Sequence, residues 1–376
     1  MVVIGGGLTG CVTASVLANG GLDVMLVEGD RLAGGATAGG LGVVVPGPDA
    51  SYRAVETAIG KRLARVAWKE VRRSSREYVS ALRKLSPKSD LAPAPFLINS
   101  HSIEQTTALR REQASRKGVG LDAPWLAGPA AETELGTEST GAIRLLDAGL
   151  YDPVRATLGF AKAATERGAR VFERSLVKRT KFTRKEAEVV LEHGTVRTHG
   201  VVVATGEPGA IVGQLRRHVR RSTGYVVVTR ALTAPMRRET GERRSILTEV
   251  GESPHWVRWL PDGRALMAGA LSRPLQARQR DKALVQRTAQ LMYELALRYP
   301  VIAGLPAEWG WDVPIVTTAD GLPWVGTHRN YPFHFFAFGF GWHGDALAWL
   351  SARAALRHFG GEPRREDETF SFSRLG

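Results

Sequence analysis

The sequence predicts an α/β protein in two parts: a Rossmann-like dinucleotide-binding domain and a second domain built on an antiparallel sheet. Three observations carry this reading. The chain opens strand, glycine turn, helix, strand. Buried-looking β-branched runs recur between helix-compatible stretches through the first half and again near the end. From Gly224 to Leu271 the character changes, and several strands follow one another with no helix between them. At 376 residues and 43% hydrophobic content, the chain is long enough for two substructures, each with its own core.

The elements follow in order. Val2-Val3-Ile4 is a β-branched strand. Gly5-Gly6-Gly7-Leu8-Thr9-Gly10 comes directly after it, and Cys11 to Ala18 continues as a helix that stops at Asn19-Gly20-Gly21. Val24 to Val27 is a second buried strand, ending at Glu28-Gly29. Ala54 to Leu85 reads as helix, with Val55, Ile59, Leu63, Val66, Val71, Val79 and Leu82 spread among charges. Proline-containing stretches at 87–95 and 124–129 mark loops. Tyr151-Asp152-Pro153 precedes a helix that ends near Arg167-Gly168. Val171 to Glu173, Val189 to Leu191 and Val201 to Ala204 are strands. Tyr225 to Thr229, Trp256 to Trp259 and Ala265 to Ala268 are strands of the second domain. Pro261-Asp262-Gly263 joins the last two as an antiparallel hairpin. A helix from Lys282 to Arg298 closes at Tyr299-Pro300. Then come Trp309 to Val316, a loop at Asp320 to Pro323, a strand at Phe335 to Phe338, a glycine turn, and a helix from Asp345 to Phe359.

Composition narrows the function classes. No apolar run approaches the ~18 residues needed to span a bilayer. The apolar N-terminus lacks a basic region and turns glycine-rich, so it does not read as a signal peptide. The one cysteine, Cys11, has no intrachain partner, which favours a cytoplasmic, reducing compartment. Inside a helix it reads as a small buried hydrophobe. The net charge is +14, but the arginine pairs are scattered and no nucleic-acid module is present, so nucleic acid is not an expected partner. No cluster of metal-ligand spacing appears.

The chemistry resides first in Gly5-x-Gly7-x-x-Gly10. It follows a strand, opens a helix, and is followed about twenty residues on by an acid at the end of the next strand. Gly5 allows the tight turn, Gly7 lets the backbone approach a pyrophosphate, and Gly10 lets the helix pack close to the sheet. Leu8, Thr9 and Gly10 open a helix whose free N–H groups and partial positive charge face the phosphates. Glu28 accepts hydrogen bonds from ribose hydroxyls and disfavours a 2′-phosphate, so NADP is not expected. The motif alone does not separate FAD from NAD. The run Arg31-Leu32-Ala33-Gly34-Gly35-Ala36-Thr37-Ala38-Gly39-Gly40 lets a long ligand lie against the backbone. Within it, Thr37 is expected to donate to a phosphate, and the Gly39 and Gly40 N–H groups to face a ring edge.

These motifs resemble the D-amino acid oxidase-like FAD oxidoreductases, which include glycine oxidase, sarcosine oxidase and related amine dehydrogenases. Gly34-Gly35-Ala36-Thr37 resembles that family's loop after the nucleotide fingerprint. Gly149 to Pro153 resembles its Gly-x-x-Asp-Pro segment. Gly200 to Gly206 resembles its Val-Val-x-Ala-x-Gly strand, which places Ala204, Thr205 and Gly206 near the adenosine half. Val177 stands where the family touches adenine through the backbone. Asp320 to Gly326, then Phe338-Gly339-Phe340-Gly341-Trp342-His343-Gly344, resemble its C-terminal flavin segment.

The resemblance implies FAD bound without a covalent tether, because no cysteine stands in the C-terminal half. It implies that the helix starting at Asp345 points its positive end at the flavin, with His343 in contact with flavin or substrate. It implies oxidation of a C–N bond of an amine or amino acid, by hydride transfer to flavin N5, giving an imine. No protein acid or base is singled out, because a neutral amine needs none. Met267 stands where several oxidases carry a lysine facing the flavin, so the acceptor is oxygen or another electron acceptor. Substrate is expected in the antiparallel domain, with Arg258 suited to a carboxylate and Tyr52, Arg53, Tyr225, His255 and Trp311 as weaker wall candidates. A 2-hydroxy acid or polyol-phosphate dehydrogenase and a flavin-carrying electron-transfer subunit remain alternatives on the same scaffold. A flavoprotein acting on nucleic acid is suggested by charge alone. The FAD-binding domain is expected at 1–50, 140–215 and 310–376, and the substrate domain at 51–139 and 216–309.

Overall fold

A computed structural model describes residues 1–121, 123–241, 243–251 and 254–374. The chain divides into two compact units, Met1–Ala92 with Leu150–Arg220 and Ile315–Gly376, and Pro93–Gly149 with Arg221–Pro314.

The first unit is built on a six-stranded sheet in the order Trp324–His328, Tyr331–Phe338, Val201–Gly206, Val2–Ile4, Met25–Val27, Arg170–Phe172. Only the Trp324–His328 edge strand runs antiparallel to its neighbour; the other pairings are parallel. The inner strands read as unbroken apolar runs because a parallel sheet is covered on both faces. Val2, Ile4, Val201, Val203, Phe336 and Phe338 turn to one face. There they share a core with Val177, Ala187 and Val189 of a three-stranded antiparallel sheet. On the other face lies the Leu8–Asn19 helix, packed against the Pro153–Thr165 and Asp345–Phe359 helices.

The stretch expected as one helix at 54–85 is two, Tyr52–Ile59 and Lys61–Leu82. They break at Gly60, whose φ of +82° ends the first. Both belong to the first unit rather than to the second domain expected for residues 51–139. The reason is packing. Tyr78 stacks on Phe160 at 5.9 Å and Glu77 accepts the Trp349 indole N–H at 2.9 Å, which binds Lys61–Leu82 to the helices on the sheet.

The second unit carries an eight-stranded sheet in the order Ala307–Thr317, Arg220–Thr229, Ala265–Ser272, Trp256–Trp259, Ile246–Glu249, Phe96–Ser100, Gly141–Leu145, Trp125–Ala127. Trp256–Trp259 and Ala265–Ser272 form the antiparallel hairpin, with Val257 opposite Met267. Ile246–Glu249 and Phe96–Ser100 pair in parallel, so the sheet is mixed. Residues 140–149 fall here and not in the first domain, because Gly141–Leu145 pairs with Phe96–Ser100. One face packs under the Ala277–Arg298 helix, where Leu291 and Leu295 meet Tyr225, Val227, Val257 and Met267.

Candidate cofactor site

The site grows from the turn after the first strand. Gly5 has φ of +109°, and a Cβ there would stand 2.6 Å from the Ala204 carbonyl. Gly10 is tighter, because a Cβ would stand 1.7 Å from the Gly5 carbonyl oxygen. The two glycines let strand, turn and helix close on one another. Gly7 caps the Leu8–Asn19 helix with no side chain, and the first turn carries no acid. The Thr9 and Gly10 N–H groups lie in that first turn, where no intrahelical acceptor exists. A backbone cradle of this kind fits a diphosphate.

Glu28 leans over the turn. Its Oε2 accepts the Gly6 N–H at 2.5 Å and its Oε1 accepts the Asp30 N–H at 2.8 Å. The carboxylate is thus oriented at the mouth of the cradle, and each oxygen keeps lone pairs for ribose hydroxyls. Gly29 lies under Leu176, whose Cδ1 would be 2.9 Å from a Cβ at that glycine. The 173–177 stretch crosses this edge: Ser175 donates to the Glu28 carbonyl and Arg174 to that of Asp30. The Val177 side chain itself is buried in the sheet core.

Thr37 does more than expected. Its hydroxyl oxygen accepts the Leu8 N–H at 2.9 Å, joining the small-residue loop to the helix start and leaving its own hydrogen to donate. Ala33 donates to the Gly6 carbonyl, and Leu32 to Glu173 Oε1 at 2.7 Å. Gly35 and Ala36 are exposed on this loop. The Gly40 N–H donates to the Thr37 carbonyl at 3.2 Å, so it serves the loop's own turn and not a ring edge. Gly39 also takes part in an internal interaction. Ala204, Thr205 and Gly206 sit at the carboxyl end of their strand beside Gly5, with the Thr205 hydroxyl donating to the Glu207 carbonyl.

In the C-terminal segment, Gly339 and Gly341 take φ of +80° and +72° and turn the chain toward the Asp345–Phe359 helix, capped by Gly344. Trp342 and His343 are buried. The Trp342 N–H donates to Asp49 Oδ2 at 3.3 Å, and His343 Nε2 lies 3.2 Å from Asp49 Oδ1. Half-buried Asp345 lies close enough to Tyr151 and Tyr78 for its charge to act on both. Burial, then the Asp345 charge, pushes the hydroxyls of Tyr151 and Tyr78 well above the usual tyrosine range.

The substrate candidates are divided between the units, with Tyr52 and Arg53 in the first and Tyr225, His255, Arg258 and Trp311 in the second. Tyr52 is fully buried, edge-on to Trp68 at 5.3 Å, whereas Arg53 is exposed. Tyr225 and Met267 both turn into the core under the Ala277–Arg298 helix, so neither occupies the open-face position expected of it. The hairpin tryptophans do not share a face. Val257 and Trp259 face that core, while Trp256 and Arg258 face the other side, as strand alternation demands. Trp311 is half-buried on the Ala307–Thr317 strand.

His255 is held inside an ionic network. Its Nδ1 is 2.9 Å from Glu249 and its Nε2 2.5 Å from Glu294, with Arg298 and His101 also on Glu249. Burial alone would raise the Glu249 carboxyl. Hydrogen bonds from both histidines and the Arg298 charge outweigh it and hold the group far below the usual range. His255 therefore reads as a structural residue of the second unit.

Sequence reasoning missed Asp49, Glu173 and Leu176. None carries a motif signal, since each is defined by a partner distant in the chain.

No helix among the described residues is long and apolar enough to cross a membrane, and no group of three metal-ligating side chains comes together. The family model for FAD-dependent oxidoreductases of the DAO type matches residues 1–357. The chain is 22% identical over 370 residues to a probable oxidoreductase, OrdL, of Haemophilus influenzae, covering 96% of this chain and 83% of that one. It is 22% identical over 368 residues to the gamma-glutamylputrescine oxidoreductase of Escherichia coli, covering 97% and 84%. Glycine oxidase from Geobacillus kaustophilus has the same fold, with a TM-score of 0.79 at 19% identity over 100% of this chain and 97% of that one. With a dinucleotide cradle at one end, a glycine-turned helix at the other and a family match across nearly its whole length, this chain belongs to the DAO family of FAD-dependent oxidoreductases.

Proposed function

We propose that the protein oxidises a C–N bond of an amine or amino acid. The observation that carries the reading is the glycine cradle capped by Glu28, within a chain that matches the FAD-dependent family over residues 1–357. The amine-acting names of two similar proteins, gamma-glutamylputrescine oxidoreductase and glycine oxidase, support the substrate class. FAD, when bound, would supply the redox chemistry, a two-electron oxidation of the substrate C–N bond to an imine that water hydrolyses.

The residues of this chain bind and orient. Gly5, Gly7 and the N–H groups of Thr9 and Gly10 would hold the diphosphate, Glu28 would hold the ribose, and Gly29 with Leu176 would line the adenine end. The turn from Gly339 to Gly344 presents the Asp345–Phe359 helix start to the flavin. A cysteinyl tether to the flavin is ruled out, because the single cysteine is buried in the dinucleotide helix with its Sγ 3.4 Å from the Gly6 carbonyl, and the reading is of non-covalent binding. Arg258, on the face of its strand away from the helix-covered core, pairs with a substrate carboxylate. The lone cysteine fits a cytoplasmic location.

The test is a visible spectrum of the purified protein, followed by anaerobic mixing with amines, amino acids and 2-hydroxy acids. Bleaching by an amine or amino acid is expected. A protein that refuses added FAD, or one bleached only by hydroxy acids, sinks the reading. Reoxidation in air against reoxidation by an artificial acceptor then separates oxidase from dehydrogenase.

A further inference from the structure

Asp49 follows the small-residue loop, and no motif assigns it a role. Its carboxylate turns to the glycine-rich segment before the last long helix. Oδ2 accepts the Trp342 N–H, and Oδ1 pairs with His343 Nε2. Gly341 passes so close that a Cβ would stand 2.2 Å from Oδ2. The segment is thus shaped around this carboxylate. The His343 side chain is 3% exposed and that of Asp49 22%, so solvent only partly screens the charge.

This segment leads directly into the 15-residue Asp345–Phe359 helix. The N-terminal end of such a helix carries about half a positive charge. An anion held just ahead of it subtracts from that field. We propose that Asp49 is a tuning residue, a resident carboxylate that offsets the positive field before the Asp345–Phe359 helix and so lowers the electron demand of the flavin. This rests on the FAD reading above. Asp49 is a positioning residue: it acts through His343 and the Trp342 backbone. His343 and the Trp342 backbone hold the carboxylate at this place ahead of the helix.

Sulfite is a probe for this balance, because it adds to the oxidised flavin ring and leaves it negatively charged. The FAD-loaded wild type, Asp49→Asn, His343→Gln and the double variant are titrated with sulfite and followed by loss of the flavin absorbance. Asp49→Asn is expected to bind sulfite roughly tenfold tighter, the size of one lost charge-assisted interaction. In the double variant the Asn substitution has a smaller effect than alone, because the two residues act as a pair. If Asp49→Asn does not fold, Asp49→Ser serves the same comparison. Sulfite affinity in the folded, FAD-loaded Asp49 variant equal to or weaker than in the wild type overturns this inference alone. A wild-type protein that takes up no FAD overturns the FAD reading and this inference together.

Discussion

Arg374→Met tests what holds the Asp320 loop in place. Arg374 and Asp320 form an ion pair whose side chains are 1% and 2% exposed. The guanidinium donates to both Asp320 oxygens, at 2.6 and 2.9 Å, and to the carbonyls of Leu322, Pro323 and Phe370. It also lies 3.5 Å over the Trp324 ring. Burial alone would raise the Asp320 carboxyl, but the Arg374 hydrogen bonds and charge hold it below its ordinary value. Methionine fills much of the volume, removes the charge, and takes the guanidinium donor from Asp320 Oδ2 and from the Pro323 and Phe370 carbonyls, while Thr318 and the Leu322 N–H still serve Asp320 Oδ1. Breaking one side of a buried pair costs about 3–5 kcal/mol. That is a large share of a typical total stability of roughly 5–15 kcal/mol. For a unit of this size the melting temperature should fall by about 6–20 °C. Urea unfolding followed by tryptophan fluorescence measures the loss, and Trp324 reports locally. Asp320→Asn combined with Arg374→Met should recover part of it, since no uncompensated charge is then buried. A loss below about 1 kcal/mol for Arg374→Met would refute the reasoning, because it would show the pair solvated rather than buried.

Two further outcomes follow from the geometry. Gly10→Ala should abolish FAD uptake, since the new methyl meets the Gly5 carbonyl at 1.7 Å, whereas Gly118→Ala, with nothing within 4 Å, should leave uptake intact; FAD absorbance after reconstitution decides it. Glu249, held far below its ordinary value of 4.5, contributes stability that is present above about pH 4.5 and lost as the pH falls below it. Glu249→Gln should therefore cost about 3 kcal/mol near pH 7 and flatten the acid side of the stability curve, and an unchanged acid limb in pH-dependent melting would argue against the network.

The sequence by itself determined the dinucleotide turn, the acid at its rim, and the helix behind the C-terminal glycines. Those features are legible locally: a strand, a turn and a helix start follow within ten residues, and Gly10 is required by the Gly5 carbonyl inside the motif, whereas Gly5 and Gly341 are also closed in by the distant Ala204 and Asp49. The tertiary structure alone decided which way side chains face and which distant groups meet. Tyr225 and Met267 belong to a core because the Ala277–Arg298 helix covers that face of the sheet, and alternation names two faces without saying which is covered. His255 is bound by Glu249 and Glu294 from separate elements. Asp49 meets Trp342 across 293 residues, and Arg374 meets Asp320 across 54. No periodicity encodes such pairs, because the chain folds back to make them only after its apolar faces have found one another.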